Sequence, residues 1–548
     1  MPDTKITAFA PPDDTAAPFV RVLHLPPGPS SDEVFERGRE WIKTCCSSHK
    51  QCKVVGREGL SLLPTRVIDV GMIGDEGNAS AVRLHISADG EHGEYACLSY
   101  CWGGDQFKLT SENLGKLEVE VPTTALSLTV ADAVEVTRRL GLRYLWVDAL
   151  CILQDNDQDK AREITQMGAI YKNSTITIAA ATARAANEGF LRTPRIPPPS
   201  AVVKIPLPNG DVGPVHLTLE AFVEQGSQRS MKYHPLDGRG WCLQEYLLSP
   251  RLLYFSKWNV EWQCQHGDVL FVYDDLFGEK RTTSRTFRLP PGLFGTATAG
   301  DLWRKMDKGL MEPMYNDRYT LWQRVVEDYS TRSLTFANDK LPALAGISAE
   351  LQQLWKDEYM FGMWRKLLPR MLAWGVRGKE GGQRIAGVPS WSWASVSAPV
   401  TVTKMRQPQI TNFALEETSV HEKLGGISGS RVPRLEVTGT LIKSPGDLRK
   451  MLVEGKDDLQ VRLDLDEPAD PLSWSYLVVD SFTWYEPVGY TPMKCYEATY
   501  LLLREVEDGV YERVGVALYK LKRKMSSEKD TPWFKMSKAK PTAGIKLV

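Results

Sequence analysis

The first hundred residues show apolar spacing that predicts one helix and three strands. Residues 31–50 have the apolar periodicity of an amphipathic helix, and two short strand-like runs follow at 65–70 and 81–87. Residues 95–100 form a compact apolar run that ends at a pair of glycines. This pattern predicts a buried strand followed by a glycine turn.

Helical and strand-like patterns alternate beyond that turn. Thr129 is suited to cap a helix that stops at Gly141, a strand is predicted at 144–150, a helix begins near Asp155, and residues 174–182 form the next strand. Alternation over about ninety residues predicts an α/β fold with a parallel sheet flanked by helices. Ligands of such sheets bind at the carboxyl ends of the strands.

The remaining sequence predicts a helical layer and then a β-rich C-terminal region that ends in the basic segment 520–540. We therefore divide the chain into an N-terminal module of a helix and short strands (1–90), an α/β domain (91–255) with an insertion near 195–232, a mainly helical region (256–385) and a β-rich region with a basic tail (386–548).

The composition limits the kinds of molecule that the protein is expected to bind. The formal net charge is −1, from 67 basic and 68 acidic residues, and the basic tail lacks interleaved stacking aromatics, so we expect no nucleic-acid binding. The N-terminus lacks the pattern of a secretory signal, and the longest apolar runs are about half the roughly 20 residues of a membrane helix. We expect a soluble, cytoplasmic protein without a membrane span.

Nine cysteines in 548 residues are too few, and odd in number, for a secreted disulfide scaffold, so we expect reduced thiols. Cys45, Cys46, His49 and Cys52 form one tight cluster. A structural zinc site usually pairs two such clusters, and no clear second one lies nearby. We favour a cysteine-rich helix end packed on the core and assign no metal site, while zinc stays the alternative.

Phosphate-loop, H-E-x-x-H, G-x-S-x-G and complete G-x-G-x-x-G motifs are absent from the sequence. Three groups of residues near predicted strand ends remain as candidates. In the first group, Ser99 and Tyr100 precede Trp102, which offers a stacking face, and Gly103, which allows close backbone approach to a ligand. The alternative is that this segment only closes the edge of the core.

The second group is Asp148, Cys151, Gln154 and Asp155, in and directly after the apolar run 145–152. An acid in such a run must find a partner or face a cleft, because an unpaired buried charge is costly. Pairing with an arginine or capping is the alternative. We predict that Asp148 and Gln154 contribute to substrate binding.

The third group is the segment 239–245, which opens a predicted helix and contains Trp241 and Glu245. The apolar surroundings of Glu245 are expected to raise its pKa, which suits a carboxylate that contacts a ribose or stabilises positive charge during glycosidic cleavage. We predict Glu245 as the catalytic residue. The alternative is that Glu245 forms a surface ion pair with Arg239 or Arg251 and has no catalytic role.

These segments, in this order, resemble the HET domain of fungal heterokaryon incompatibility proteins. The matching motifs are Y-A-C-L-S-Y-C-W-G at 95–103, V-P-T-T at 121–124, L-W-V-D-A-L-C-I-L-Q-D at 145–155, G-F-L at 189–191 and R-G-W-C-L-Q-E at 239–245, with further similarity to about residue 400. Leu153 stands where the family usually has asparagine, which puts a hydrogen-bonding role beside Gln154 in doubt.

The resemblance implies an effector of nonself recognition and programmed cell death. HET domains are also distantly similar to Toll/interleukin receptor (TIR) domains, in which a glutamate of a W-C-x-x-E helix drives release of nicotinamide from NAD. The similarity implies a TIR-like, flavodoxin-like sheet, NAD as substrate rather than a bound cofactor, Glu245 as the catalytic carboxylate, and a homo-oligomer that assembles a composite site. The competing hypothesis is a non-enzymatic scaffold that acts by self-association or by binding a protein trigger.

Overall fold

A computed structural model describes residues 6–22, 28–49, 52, 60–72, 81–192, 200–219, 234–257, 260–265, 269–271, 289, 318–378, 382–403, 410–415, 433–443, 459–465, 474–488, 491–524 and 541–548. The chain forms two compact units, residues 1–308 and 309–548, which we call unit 1 and unit 2. None of the helices in these described ranges combines the length and apolarity needed to cross a bilayer.

Unit 1 contains short strands and helices in alternation. Its strands are β1 (Ile6–Ala10), β2 (Arg21–Val22), β3 (Ser61–Leu62), β4 (Arg66–Asp69), β5 (Arg83–Ile86), β6 (His92–Gly93), β7 (Tyr95–Ser99), β8 (Tyr144–Trp146), β9 (Ile176–Ala179), β10 (Ala201–Pro206), β11 (Val212–Leu219), β12 (Arg251–Phe255), β13 (Val260–Cys264) and β14 (Val269–Phe271). Its helices are α1 (Asp32–Ser48), α2 (Leu114–Val119), α3 (Leu128–Arg139), α4 (Asp148–Cys151), α5 (Asp157–Asn173) and α6 (Gly240–Leu248).

The main sheet of unit 1 has eight strands in the order β14-β13-β12-β9-β7-β8-β4-β5. The pairs β12/β9, β9/β7 and β7/β8 are parallel, whereas β8/β4, β4/β5, β12/β13 and β13/β14 are antiparallel. The mixed α/β class predicted from the sequence is confirmed, but the sheet is not parallel throughout. Antiparallel pairs extend both edges, where β5 follows β4 and where β13 and β14 follow β12 in chain order.

The helices of unit 1 begin close to their predicted positions, with two corrections. Helix α3 already includes Thr129, which is buried and accepts a hydrogen bond from the Gly189 N–H instead of capping the helix. The strand predicted at 144–150 ends at Trp146, and Asp148 starts the short helix α4. A continuous apolar run is compatible with either a buried strand or a buried helical turn, so periodicity alone did not separate them.

The predicted insertion forms a hairpin. Strands β10 and β11 pair antiparallel around a turn at Gly210, which has a φ of +90°. Strand β11 also pairs with β1, and β1 pairs with β2, so a second, four-stranded sheet joins the insertion to the N-terminal strands. Residues 195–199 and 220–232 of the predicted insertion lie outside the described residues.

Unit 2 contains helices first and a large sheet afterwards. Its elements are helices α7 (Arg318–Tyr329), α8 (Ala345–Trp355) and α9 (Leu368–Met371), and strands β15 (Tyr359–Met360), β16 (Met363–Trp364), β17 (Trp374–Val376), β18 (Val400–Val402), β19 (Thr411–Leu415), β20 (Leu435–Gly439), β21 (Leu441–Lys443), β22 (Leu459–Leu463), β23 (Trp474–Val488), β24 (Thr491–Glu507), β25 (Val510–Lys524) and β26 (Thr542–Leu547). Strands β19 to β26 form one sheet, in which β25/β26 is the parallel pair.

The β-rich C-terminal region predicted from the sequence is therefore confirmed. Of the predicted basic tail, residues 520–524 complete β25, and residues 525–540 lie outside the described residues. In the helical part, Trp322, Trp355 and Trp364 pack edge to face with ring centroids 4.7–5.4 Å apart. Buried aromatic pairs in this geometry contribute to stability beyond the area that they bury.

The turn that follows β7 approaches another loop closely at Gly103. This glycine has a φ of +66°, and a Cβ added to it would lie 2.3 Å from Ala185 Cβ and 2.8 Å from the Arg184 carbonyl oxygen. The Ala186 N–H also donates a hydrogen bond to the Trp102 carbonyl, with an N–O distance of 3.0 Å. The close approach that Gly103 permits is thus to the 184–186 segment, which fixes the turn at the edge of the sheet.

We predict that Gly103→Ala destabilises unit 1 more than Gly141→Ala does. Gly141 also has a positive φ, +80°, but a Cβ there would meet nothing within 4 Å. Gly141→Ala should therefore cost only the left-handed backbone strain of roughly 1–2 kcal/mol, and Gly103→Ala should add a clash with backbone that cannot give way. Hydrogen exchange of peptides from β7 in urea measures both losses, and equal losses would contradict the prediction.

Candidate active site

The site lies where β7 and β8 end, on the carboxyl edge of the parallel strands. Ser99 is the last residue of β7, and Asp148 follows β8 by two residues. Helix α6 brings Glu245 to the same place, because the Ser99 hydroxyl donates a hydrogen bond to Glu245 Oε2. The turn after β7 and the 241–245 helix segment, which are far apart in sequence, therefore meet in space.

Glu245 is almost completely removed from solvent. Helix α6 is buried along nearly its whole length, and Glu245 itself is 7% exposed, next to Ser99 at 3%. Burial raises the pKa of Glu245 to about 7, against the opposing effects of the Ser99 hydrogen bond and the nearby Arg239 charge. A carboxyl group with this pKa is divided between its charged and neutral forms at neutral pH.

Asp148 is the second carboxyl group of the site, and it orients the tryptophan of the turn. Trp102 Nε1 donates to Asp148 Oδ2 over 2.8 Å, and the Ala149 N–H donates to Oδ1 over 2.7 Å. Desolvation nevertheless keeps the pKa of Asp148 above its usual value, against the hydrogen bonds from Trp102 and Tyr100. Asp148 thus holds the Trp102 indole in one orientation.

Tyr100 and Gln154 support this arrangement from either side. Tyr100 is buried, and its hydroxyl accepts a hydrogen bond of 2.8 Å from Gln106 Nε2. Gln154 Nε2 donates to the backbone carbonyls of Asp148 and Ile152, over 3.0 and 3.2 Å. The leucine at position 153 leaves these bonds intact, because they use backbone acceptors.

Trp102 and Trp241 are the aromatic residues of the site that retain exposed surface. Both indoles are partly buried and pack against the core of unit 1, and the neighbouring Gly103 and Gly104 are exposed. Trp241 begins the turn of α6 that ends at Glu245. Solvent therefore reaches the site on the side of the glycine turn.

From the sequence, Arg239 was expected only as the partner in an ion pair that would leave Glu245 without a catalytic role. In the structure it lies half-buried at the start of α6, and its positive charge lowers the pKa values of both Glu245 and Asp148. Arg251, the other suggested partner, contacts cysteine residues instead. Gln106 was missed, because a single glutamine in a loop gives no sequence signal.

A second cluster of ligand-type side chains consists of Cys45, His49, Cys52 and Cys264. Their donor atoms all lie within 4.8 Å of one another. Cys46, which the sequence grouped with them, is exposed and outside the cluster. Cys264 was missed, because nothing in the sequence relates it to a cluster more than two hundred residues earlier.

We predict that Glu245→Gln stabilises the protein at high pH. The folded-state pKa of about 7 lies above the ordinary 4.5, so folding favours the protonated form, and stability falls as pH rises from about 4.5 through 7. A glutamine does not titrate, and its side-chain oxygen can still accept the Ser99 hydrogen bond. The variant should match the wild type near pH 4–5 and exceed it by up to about 3 kcal/mol near pH 8.

Urea unfolding of unit 1 at several pH values provides the measurement, with Glu118→Gln, the same change at an exposed glutamate of α2, as the control. A stability difference between Glu245→Gln and wild type that does not change with pH would mean that the carboxyl group has no raised pKa.

The part of the chain that carries this site also carries a family match. Searches among curated proteins and among solved structures gave no match. Residues 95–245 match the family model described as Heterokaryon incompatibility protein (HET), from the first residue of β7 to Glu245 itself. The α/β part of this chain, with Ser99 and Glu245 near the two ends of the match, is therefore similar to the HET family of heterokaryon incompatibility proteins.

Proposed function

We propose that the protein is an effector of heterokaryon incompatibility that kills cells by cleaving NAD at the nicotinamide N-glycosidic bond. The observation that carries the proposal is the buried Glu245 carboxyl group, with a pKa of about 7, held by Ser99 at the carboxyl edge of a parallel strand. The HET match over residues 95–245 supports the biological role. The enzymatic step rests on the chemistry of the site.

The order of the parallel strands supports a TIR-like arrangement. The strands β8, β7, β9 and β12 lie side by side in that order, which is second, first, third and fourth along the chain. This is the beginning of the flavodoxin-like doubly wound order, in which ligands bind outside the carboxyl ends of the first and third strands. Ser99 ends the first of these strands and Ala179 ends the third.

The charge of Glu245 suits the cleavage of a glycosidic bond. When the bond between the ribose C1′ and the nicotinamide nitrogen breaks, its electron pair leaves with neutral nicotinamide, and positive charge develops on the ribose ring. The ionised Glu245 carboxylate stabilises that charge and accepts a hydrogen bond from a ribose hydroxyl. Water then adds to C1′, and the products are ADP-ribose, nicotinamide and one proton.

The aromatic faces of the site bind the substrate, and its polar residues hold them in position. Trp102, oriented by Asp148, and Trp241 provide flat apolar faces for the nucleotide rings, and Gly103 leaves that side open. Tyr100 and Gln154 keep Asp148 and its loop in place. Because Glu245 itself has little exposed surface, substrate reaches it when α6 and the turn separate, which assembly of several copies would promote.

We expect purified protein, assayed at high concentration with a crowding agent, to release nicotinamide from NAD. Glu245→Gln should lower the rate by roughly 10²-fold or more, because an amide does not carry the compensating charge. Ser99→Ala should give a smaller loss, because it frees the carboxylate without removing it. Glu118→Gln, at an exposed position of α2, serves as the matched control.

Wild-type turnover by folded Glu245→Gln protein would refute the catalytic assignment. Expression of the same variants in fungal cells separates the two functional hypotheses. If Glu245→Gln abolishes cell killing, the toxicity depends on the carboxylate. If killing persists at the wild-type level, the protein acts as a scaffold through assembly alone.

The pH dependence of turnover gives an independent prediction. Because the ionised form of Glu245 is the one that stabilises positive charge, kcat/KM should rise as pH increases and level off above the pKa of about 7. Below that pKa the rate should fall about tenfold per pH unit. Initial rates of nicotinamide release between about pH 5 and 9 test this, and a profile that falls across this range would contradict the assigned role.

A further inference from the structure

Four side chains from separate parts of unit 1 meet at one point away from the Glu245 site. Cys45 lies in the last turn of α1, His49 follows the helix, Cys52 lies in the next turn, and Cys264 is the last residue of β13. The three sulfur atoms and one imidazole nitrogen all lie within 4.8 Å of one another. Three cysteines and one histidine form a common ligand set of structural zinc sites.

The local fold sets three of these ligands. Cys45 and His49 are four residues apart, and the His49 N–H donates to the Cys45 carbonyl over 3.1 Å, so both side chains leave the same face of the helix end. The Cys52 N–H donates to the His49 carbonyl over 3.0 Å, which turns the chain back to the same point. These two backbone hydrogen bonds therefore link the three residues locally.

The distance between the ligand atoms of Cys264 and His49 fits coordination to a single ion. Cys264 Sγ lies 3.5 Å from His49 Nδ1. For Zn–S and Zn–N bonds of about 2.3 and 2.05 Å, tetrahedral geometry separates a sulfur and a nitrogen ligand by about 3.5 Å and two sulfurs by about 3.8 Å. All three cysteines are free thiols, so no disulfide competes for them.

The buried positive charge beside the cluster is a second, independent observation that points to a bound ion. Arg251 is 2% exposed, and its Nε donates to Cys45 Sγ over 3.3 Å. Its other nitrogens donate to the carbonyls of Thr175 and Cys52, over 3.1 and 2.7 Å. Within the described ranges of the chain, no carboxylate forms an ion pair with this guanidinium, although an uncompensated buried charge is costly.

We propose that Cys45, His49, Cys52 and Cys264 bind one Zn²⁺ ion as a structural site. Binding releases the three thiol protons, and Zn²⁺ with three thiolates and a neutral imidazole carries a net charge of −1, which the Arg251 guanidinium balances. Four protein ligands leave no position for a catalytic water, and the three cysteines are 0–3% exposed. The ion joins the end of α1 to β13.

Zinc content of the full-length protein tests the proposal. Protein purified without a chelator or a metal-binding tag should contain one zinc ion per chain by mass spectrometry of the metal, and the Cys46→Ser variant should contain the same amount. Cys264→Ser should lose the zinc. Replacement with Co²⁺ should give the visible absorption of a tetrahedral thiolate site in wild type and in Cys46→Ser only.

A wild-type measurement keeps the proposal testable if Cys264→Ser does not fold. Titration of the native protein with an organomercurial should release the zinc to a chromogenic chelator as three buried thiols react. The proposal would be overturned if reduced wild-type protein, supplied with zinc, binds none and shows no absorption bands of a Co²⁺ thiolate site. Full zinc content in folded Cys264→Ser, or a disulfide among Cys45, Cys52 and Cys264 in freshly purified protein, would overturn it equally.

Discussion

Desolvation of the Glu245 carboxyl group is the constraint around which the α/β part of unit 1 is arranged. Helix α6 places this acid in a buried environment at the end of β7, where hydrogen bonds from Ser99 and Cys242 and the nearby charge of Arg239 offset only part of the desolvation. Such a placement costs folding free energy at neutral pH. Cores do not keep an acid at that cost for packing, which makes the position informative about function.

The rest of the site limits how the acid is used. Asp148 is a partly buried acid with a raised pKa, and its two oxygens accept hydrogen bonds from the Trp102 indole and the Ala149 amide, so it orients these neighbours. Glu245 accepts a hydrogen bond from one hydroxyl group, that of Ser99, which a ribose hydroxyl would replace in the proposed reaction. The two carboxyl groups therefore differ in their hydrogen-bond partners.

Local signals were enough to predict part of this structure from the sequence. The apolar run with a glycine turn after it correctly indicated β7 and the turn, and helical periodicity correctly indicated α1, α3 and α5. Strands β4 and β5 were predicted, at 65–70 and 81–87, but the antiparallel pairing at both edges of the sheet was not, because strand pairing depends on contacts that are distant in sequence. For the same reason, Cys264 was not predicted as a member of the cysteine–histidine cluster, because the other three members lie near the N-terminus.

The cysteine–histidine cluster has a consequence for synthesis of the chain. His49 and Cys264 are 215 residues apart. At ribosomal rates of about 5–20 residues per second, Cys45, His49 and Cys52 emerge roughly 10–40 s before their fourth partner exists. During that interval the N-terminal thiols have no strand to pack against. The nascent chain is then most open to oxidation or to capture of a metal ion in an incomplete site, and this corner of unit 1 can close only after translation passes β13.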